Sequence, residues 1–277
     1  MLQKYDTFFA PRLLALAAAG AFTVSSPTLA QTECNLMDGY GNTLSAYVNE
    51  AQACSEASGS PEHGFEQELF SRINAERARN DLAPLALRTG LNQAAKTHTL
   101  DMSQRAYADH VDLEGRDHLY RIRALDRTYL FGAVGASVMQ TEIGSDAGDI
   151  YVAMLEDAQN NANILNADFT HLGISVTRGE NGNFVTILYT ESEGELQTAL
   201  PVILDKTQTI HANLEASETE AIGWRLVDVE TQTRLAKGIN PRLNPKRLDD
   251  IAVANLDIFV SDKTNIKFVR GPMVSAF

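Results

Sequence analysis

Six histidines, two cysteines and scattered serines are the candidates for chemistry in this 277-residue chain. His98 lies in the run Leu91-Asn-Gln-Ala-Ala-Lys-Thr-His-Thr-Leu-Asp-Met-Ser, and His110 closes Ala108-Asp-His110. An imidazole can serve as a general base, a metal ligand or a hydrogen-bonding group, and its surroundings decide which. Read as a helix, the first run places Leu91, Ala94, Ala95, His98 and Met102 on one apolar face, so His98 reads as a hydrogen-bonded core residue. One reading of His110 is a helix-terminal histidine, stabilised as a cation by the negative end of that helix. Nucleophilic catalysis has little support: there is no Gly-x-Ser-x-Gly elbow, and no motif marks Ser71, Ser103 or Ser137 as a partner of His110. Gly132-Ala-Val-Gly-Ala lacks the lysine and the strand-to-helix context of a phosphate loop. No pair of carboxylates is singled out for glycosidic chemistry.

The cysteines, Cys34 and Cys54, follow a segment that reads as a secretory signal. Lys4 and Arg12 supply its positive start, Leu13–Val24 its apolar centre, and Thr28-Leu-Ala30 a small-residue cleavage site. The apolar run is well short of the roughly 20 residues that span a bilayer, so cleavage is expected after Ala30 and no transmembrane segment after it. In an oxidising compartment the simplest reading of the cysteines is one disulfide, and they lack the Cys-x-x-Cys spacing of a redox pair. Removing residues 1–30 takes the formal charge from −13 to −14. A chain this acidic repels nucleic acid, so no nucleic-acid partner is expected.

The elements that must position these residues follow from periodicity. Leu44, Tyr47, Val48 and Ala51 recur at helical spacing between the cysteines, and the Gly/Ser/Pro cluster at 57–64 reads as a linker. Phe65–Asn80 is a helix ending before Pro84. Thr89 is the expected N-cap of a helix from Leu91 to about Ala106. Asp117–Asp126 reads as a third helix, residues 128–148 as Gly-rich and irregular, and Asp146 or Asp149 as the cap of a fourth helix carrying Ile150, Ala153, Met154 and Asp157. Residues 173–178 and 183–190 read as a hairpin around Asn-Gly. After Leu196 come five short strand-like runs, at 201–204, 209–214, 221–227, 251–260 and 265–269, which suggest a small β-sandwich.

Several of these stretches carry a pattern. Asn74-Ala-Glu-Arg77 precedes Leu82-Ala-Pro-Leu85; Leu91, Ala94, Ala95, His98, Asp101 and Met102 follow. Then come His110 with Gly115, Arg121-Ile122, Asn160-Asn-Ala-Asn-Ile-Leu165 and Phe169-Thr-His-Leu-Gly173. In order and spacing, this resembles the CAP superfamily (cysteine-rich secretory proteins, antigen 5, pathogenesis-related 1) in its bacterial secreted form. The resemblance implies an α+β fold, an α-β-α sandwich around a central antiparallel sheet, to which the C-terminal β-rich module is added. The division is then a signal peptide at 1–30, a disulfide-tied segment and linker at 31–64, a CAP domain at 65–195 and a β module at 196–277.

The family's cleft carries two histidines and two acidic residues, which in some members bind a divalent metal. The resemblance places His110 there as the first histidine, Asn160 at the position of the second, Glu142 as the nearest match to the motif glutamate and Asp157 as the other carboxylate. Asn163 reads as structural, and Arg121 and Asp101 as structural polar pairs. An amide is a poor zinc ligand, so no cofactor is expected, zinc being the ion such a remnant would suit. The expectation is an exported protein, periplasmic or secreted, that binds a lipid, a peptide or an envelope component without catalysis. The rivals are a hydrolase using His110 and Glu142, and an envelope scaffold whose protein partner is held by residues 196–277.

Overall fold

The computed structural model describes residues 34–59, 63–244 and 253–275. The expected signal at 1–30, part of the 57–64 linker and the start of the 251–260 strand lie outside them. Cys34 and Cys54 form the expected disulfide. It tethers α1 (Leu44–Ala57), whose Leu44, Tyr47 and Ala51 are buried, as their spacing requires. Next come α2 (His63–Arg79), β1 (Ala86–Leu87), α3 (Thr89–Arg105), α4 (His118–Leu125), β2 (Tyr129–Thr141), α5 (Ala147–Glu156) and α6 (Ala158–Ile164). The hairpin follows as β3 (His171–Gly179) and β4 (Gly182–Leu196). After it come β5 (Gln208–Thr209), β6 (Ala212–Leu214), β7 (Glu220–Asp228), β8 (Arg234–Gly238), β9 (Arg242–Leu243), β10 (Ala254–Ser261) and β11 (Ile266–Val274).

Nine of these strands build one sheet in the order β1-β3-β4-β2-β11-β10-β7-β8, with β6 added to the far end of β4, while β5 and β9 pair as a separate two-stranded sheet. Helices cover the large sheet on two sides, giving the expected α-β-α layering. α1, α3 and α4 share a core with Tyr129, Phe131 and Leu188, while α2, α5 and α6 share another with Val185, Ile187 and Tyr189. Side chains from one strand enter opposite cores because successive residues point to opposite faces. The C-terminal strands join the sheet through Arg270 opposite Phe131. They also build a third cluster, in which Trp224, Leu226 and Leu256 meet Leu200, Leu204, Ile210 and Leu243 together with Leu130 of β2 and Leu196 of β4.

Three expectations need correction. Residues 128–148 are largely strand: β2 runs for 13 residues beside β4. Its glycines do not break it, because they make room for neighbours. A Cβ on Gly135 would lie 2.7 Å from Asn163 Oδ1 and 2.8 Å from the Phe169 ring, and one on Gly132 would meet the Glu191 carboxylate. Thr89 is the first helical residue of α3 and not its cap; Arg88 holds the cap position without a side-chain cap bond. Residues 201–204 form no strand and contribute only a bridge from Ile203 to Ser275, while β8 and β9 went unread.

Two motif residues have a structural task here. Asn74 Oδ1 accepts from Leu85 N at 2.8 Å and its Nδ2 donates to Leu85 O at 3.1 Å, clamping the Leu82–Leu85 turn to α2. Gly173 lets α3 lie directly on β3: a Cβ there would come within 2.5 Å of Asn92 N and would collide with the Leu91 backbone. Backbone cannot swing aside as a side chain can, so Gly173→Ala is expected to cost about 3 kcal/mol, read as a lower urea midpoint. A midpoint within error of wild type would show that α3 can lift off β3 freely.

Candidate functional site

α3 runs along β3, with Leu91 against Gly173 and Ser103 near Gly179. The end of α3 therefore lies at the hairpin end of the sheet, and the loop 106–117 starts from there. The helix stops at Arg105 because Ala106 turns left-handed, at φ 55°. His110 is thus a loop residue, five beyond the helix, and the helix-terminal reading does not apply.

The loop is braced from both sides. His98, on the buried face of α3, has Nε2 2.7 Å from Asp109 O. A carbonyl only accepts, so His98 carries its proton on Nε2, and its buried Nδ1 has no partner among the described residues. Asp101, Asp112 and Glu114 crowd together near the loop. Arg105 bonds Asp101 at 2.6 Å and Glu114 at 2.6 Å, and Arg116 bonds Asp112 at 2.8 Å and Glu114 at 2.9 Å. These carboxylates have guanidinium partners and act as struts of the loop. Asp101 is therefore the paired residue that was expected.

From α4, His118 and Arg121 meet the loop. Arg121 Nη1 donates to His110 O at 3.2 Å and to His118 Nδ1 at 3.2 Å, and His118 Nε2 lies 3.0 Å from His110 Nδ1. Arg121, expected to form a polar pair, bonds an imidazole and a carbonyl instead. The proton positions follow from this chain. Guanidinium only donates, so His118 Nδ1 accepts. Burial, reinforced by the Arg121 charge, pulls His118 down to about 3, so it is neutral and its proton sits on Nε2. That proton points at His110 Nδ1, which must accept. Neutral His110 therefore presents an Nε2–H donor outward.

Stability should respond to pH through the buried imidazoles. Burial, and secondly Arg121, also pulls His98 down, to about 2. In the unfolded chain both would take up protons near pH 6.5. Their contribution is therefore complete above about pH 6.5 and is lost as pH falls toward the folded values, by at most about 1.4 kcal/mol per pH unit for each imidazole. The melting temperature is expected to drop between about pH 7.5 and 5, and less steeply in His98→Asn. Equal slopes for the two proteins would remove His98 from the account.

Two of the other expected cleft residues lie elsewhere. Glu142 leaves β2 at the same hairpin end, just past Thr141 opposite Asn183. Asp157 and Asn160 belong to the other helical layer, where Asp157 Oδ1 accepts from Asn160 N at 2.8 Å as the cap of α6. Among the described residues no hydrogen bond or ion pair joins His110 to Glu142, Asp157 or Asn160. Asn163, read as structural, is so: its Nδ2 donates to Ala136 O at 2.9 Å. The partner that was missed is His118. Its spacing from Arg121 on one helix face was legible, but the return of the 106–117 loop onto α4 was not.

Residues 70–190 match the model of the CAP family, the cysteine-rich secretory proteins. This part of the chain is a CAP domain. Among solved structures, an outer surface protein from Borrelia burgdorferi is similar at 19% identity, over 46% of this chain and 91% of that one, with a TM-score of 0.41. An extracellular SCP-domain protein from Bacillus anthracis is similar at 26% identity over 47% of this chain, with a TM-score of 0.40. A cysteine-rich secretory protein from Staphylococcus aureus is similar at 15% identity over 47% of this chain, with a TM-score of 0.38. The match spans 41% and 38% of the length of these last two proteins. No curated protein matches the chain. No helix among the described residues is long and apolar enough to cross a membrane.

The donor set of this CAP domain does not suit a metal. His110 could ligate through Nε2 only by moving its proton to Nδ1, against the proton of His118 Nε2. The position expected for a second histidine ligand is Asn160, in the other layer.

Proposed function

We propose that this is an exported CAP-domain protein that binds a ligand without catalysis, with His110 as a hydrogen-bond donor and Glu142 as a second contact at the same end of the sheet. The observation that carries this reading is the relay from Arg121 through His118 to His110. A general base needs a free lone pair, and the outward nitrogen of His110 carries a proton. The donor suits an acceptor-rich ligand, such as a lipid headgroup, a peptide carbonyl or an envelope component. The signal-like segment and the disulfide support export, to the periplasm or beyond.

The test is purification of the mature protein after export, with mass spectrometry of co-purifying small molecules, zinc analysis, and 15N spectra of the imidazoles. The expected outcome is an Nε2–H tautomer at His110 and a bound species that is lost in His110→Ala and retained in His110→Gln, whose amide restores a donor. Stoichiometric zinc lost in His110→Ala, or chelator-sensitive cleavage of casein, would overturn the reading and bring the hydrolase forward.

A further inference from the structure

The face that β7, β10 and β11 turn toward α4 carries charge where a core would carry hydrocarbon. Arg225 and Arg270 both stand opposite Asp257, so Arg225, Asp257 and Arg270 form one row across three strands. The rows on either side are Val227, Asn255, Met273 and Gly223, Phe259, Phe268. Onto the charged row α4 lowers Arg123, whose Nη2 donates to Asp257 Oδ1 at 2.7 Å and to Leu256 O at 2.6 Å. Arg225 Nε donates to Asp257 Oδ2 at 2.9 Å, while Arg270 donates to Gly132 O. Two guanidinium groups thus share one carboxylate, and a third, that of Arg270, stands opposite it on a backbone carbonyl, in a chain whose net charge is −13.

A cavity of about 380 Å³ opens over this row, walled also by Tyr120, Phe268 and Met273. Arg116 and Asp117 reach it too, but Arg116 is paired with Asp112 and Glu114, and Asp117 caps α4. Arg123 Nε is buried without a partner among the described residues. Burial pulls the Arg123 pKa down, and Arg270 and Arg225 push the same way against Asp257, so the site is short of negative charge. The Arg225 guanidinium lies 4.4 Å from the Phe268 ring centre, and that of Arg270 lies 5.7 Å away. Guanidinium groups resting on an aromatic face keep their in-plane N–H edges directed outward, the geometry that grips an oxyanion.

We infer that this cavity binds a small organic oxyanion, a carboxylate or phosphate ester with an apolar body. Arg225 and Arg270 hold its head, and its body lies on Phe268 and Tyr120. The volume is at the small end for ligand sites and suits a single ring with one charged group. The site is separate from His110 and stands whether or not the reading of that residue holds.

The experiment is calorimetric titration of the mature chain with phenyl phosphate, inorganic phosphate and benzyl alcohol at fixed ionic strength. Phenyl phosphate is expected to bind saturably and more tightly than phosphate, and benzyl alcohol not at all. Arg225→Gln and Arg270→Gln should each weaken phenyl phosphate by about tenfold or more. Phe268 is 41% exposed, so Phe268→Ala should fold and should lose the preference for the ring; it decides the matter if an arginine variant does not fold. No saturable binding of either anion, or affinities unchanged in every folded variant, overturns the inference.

Discussion

Replacing Arg77 with methionine is expected to destabilise the protein by about 3–5 kcal/mol, read as a lower urea midpoint with an unchanged slope. Arg77 is fully buried on α2, and no carboxylate among the described residues bonds it. Its fork is satisfied entirely by backbone: Nε donates to Ala83 O at 2.8 Å, Nη1 to Ile164 O at 2.8 Å and Asn166 O at 2.7 Å, and Nη2 to Phe169 O at 3.2 Å. One side chain thus ties α2 to the turn before β1, to the end of α6 and to the loop leading into β3. Methionine fills much of the volume but leaves four carbonyls without that donor, and an unmet buried acceptor costs about 1–3 kcal/mol. Arg77→Lys should recover little, because one ammonium cannot reach four acceptors spread along a planar fork. A loss below about 1 kcal/mol in Arg77→Met would mean that water replaces the guanidinium freely.

That arginine shows how much the sequence could reveal. Asn74-Ala-Glu-Arg77 was legible as a family pattern, and the amphipathic spacing of α1, α2 and α3 was legible as packing, because both are local. The four carbonyls that Arg77 serves lie up to 92 residues away and could not be read. The same divide runs through the site. His98 was read correctly as a core histidine from its helix face. His118 was missed, because only tertiary folding brings it to His110. β2 was misread because glycine signals a turn in isolation, whereas here Asn163, Phe169 and Glu191 need the space. The C-terminal strands were recognised in part by composition, yet nothing local announced that β11 would pair with β2.

Asp257→Asn is expected to cost about 3–5 kcal/mol, because it strands two cations, one of them buried, against a neutral amide. Asp257 is buried between Arg123 of α4, at 2.7 Å, and Arg225 of β7, at 2.9 Å. The penalty comes from the unpaired Arg123 more than from a lost attraction, so Arg123→Met in the same chain should restore a large part of it. The double mutant is then less damaged than the sum of the singles, a coupling of about 1–3 kcal/mol in a double-mutant cycle. Additive losses would mean that the two residues do not act as a pair. The shape of the transition carries a second result. Asp257 lies in the C-terminal strands and Arg123 in a helix of the CAP domain, so their bond is one of the links between residues 65–195 and 196–277. If those stretches are separate folding units, Asp257→Asn should split the melt into two steps by loosening the link. A single cooperative transition at lower temperature would instead make the C-terminal strands an integral extension of the CAP sheet, held by the Phe131–Arg270 pairing and the shared burial of Leu130 and Leu196.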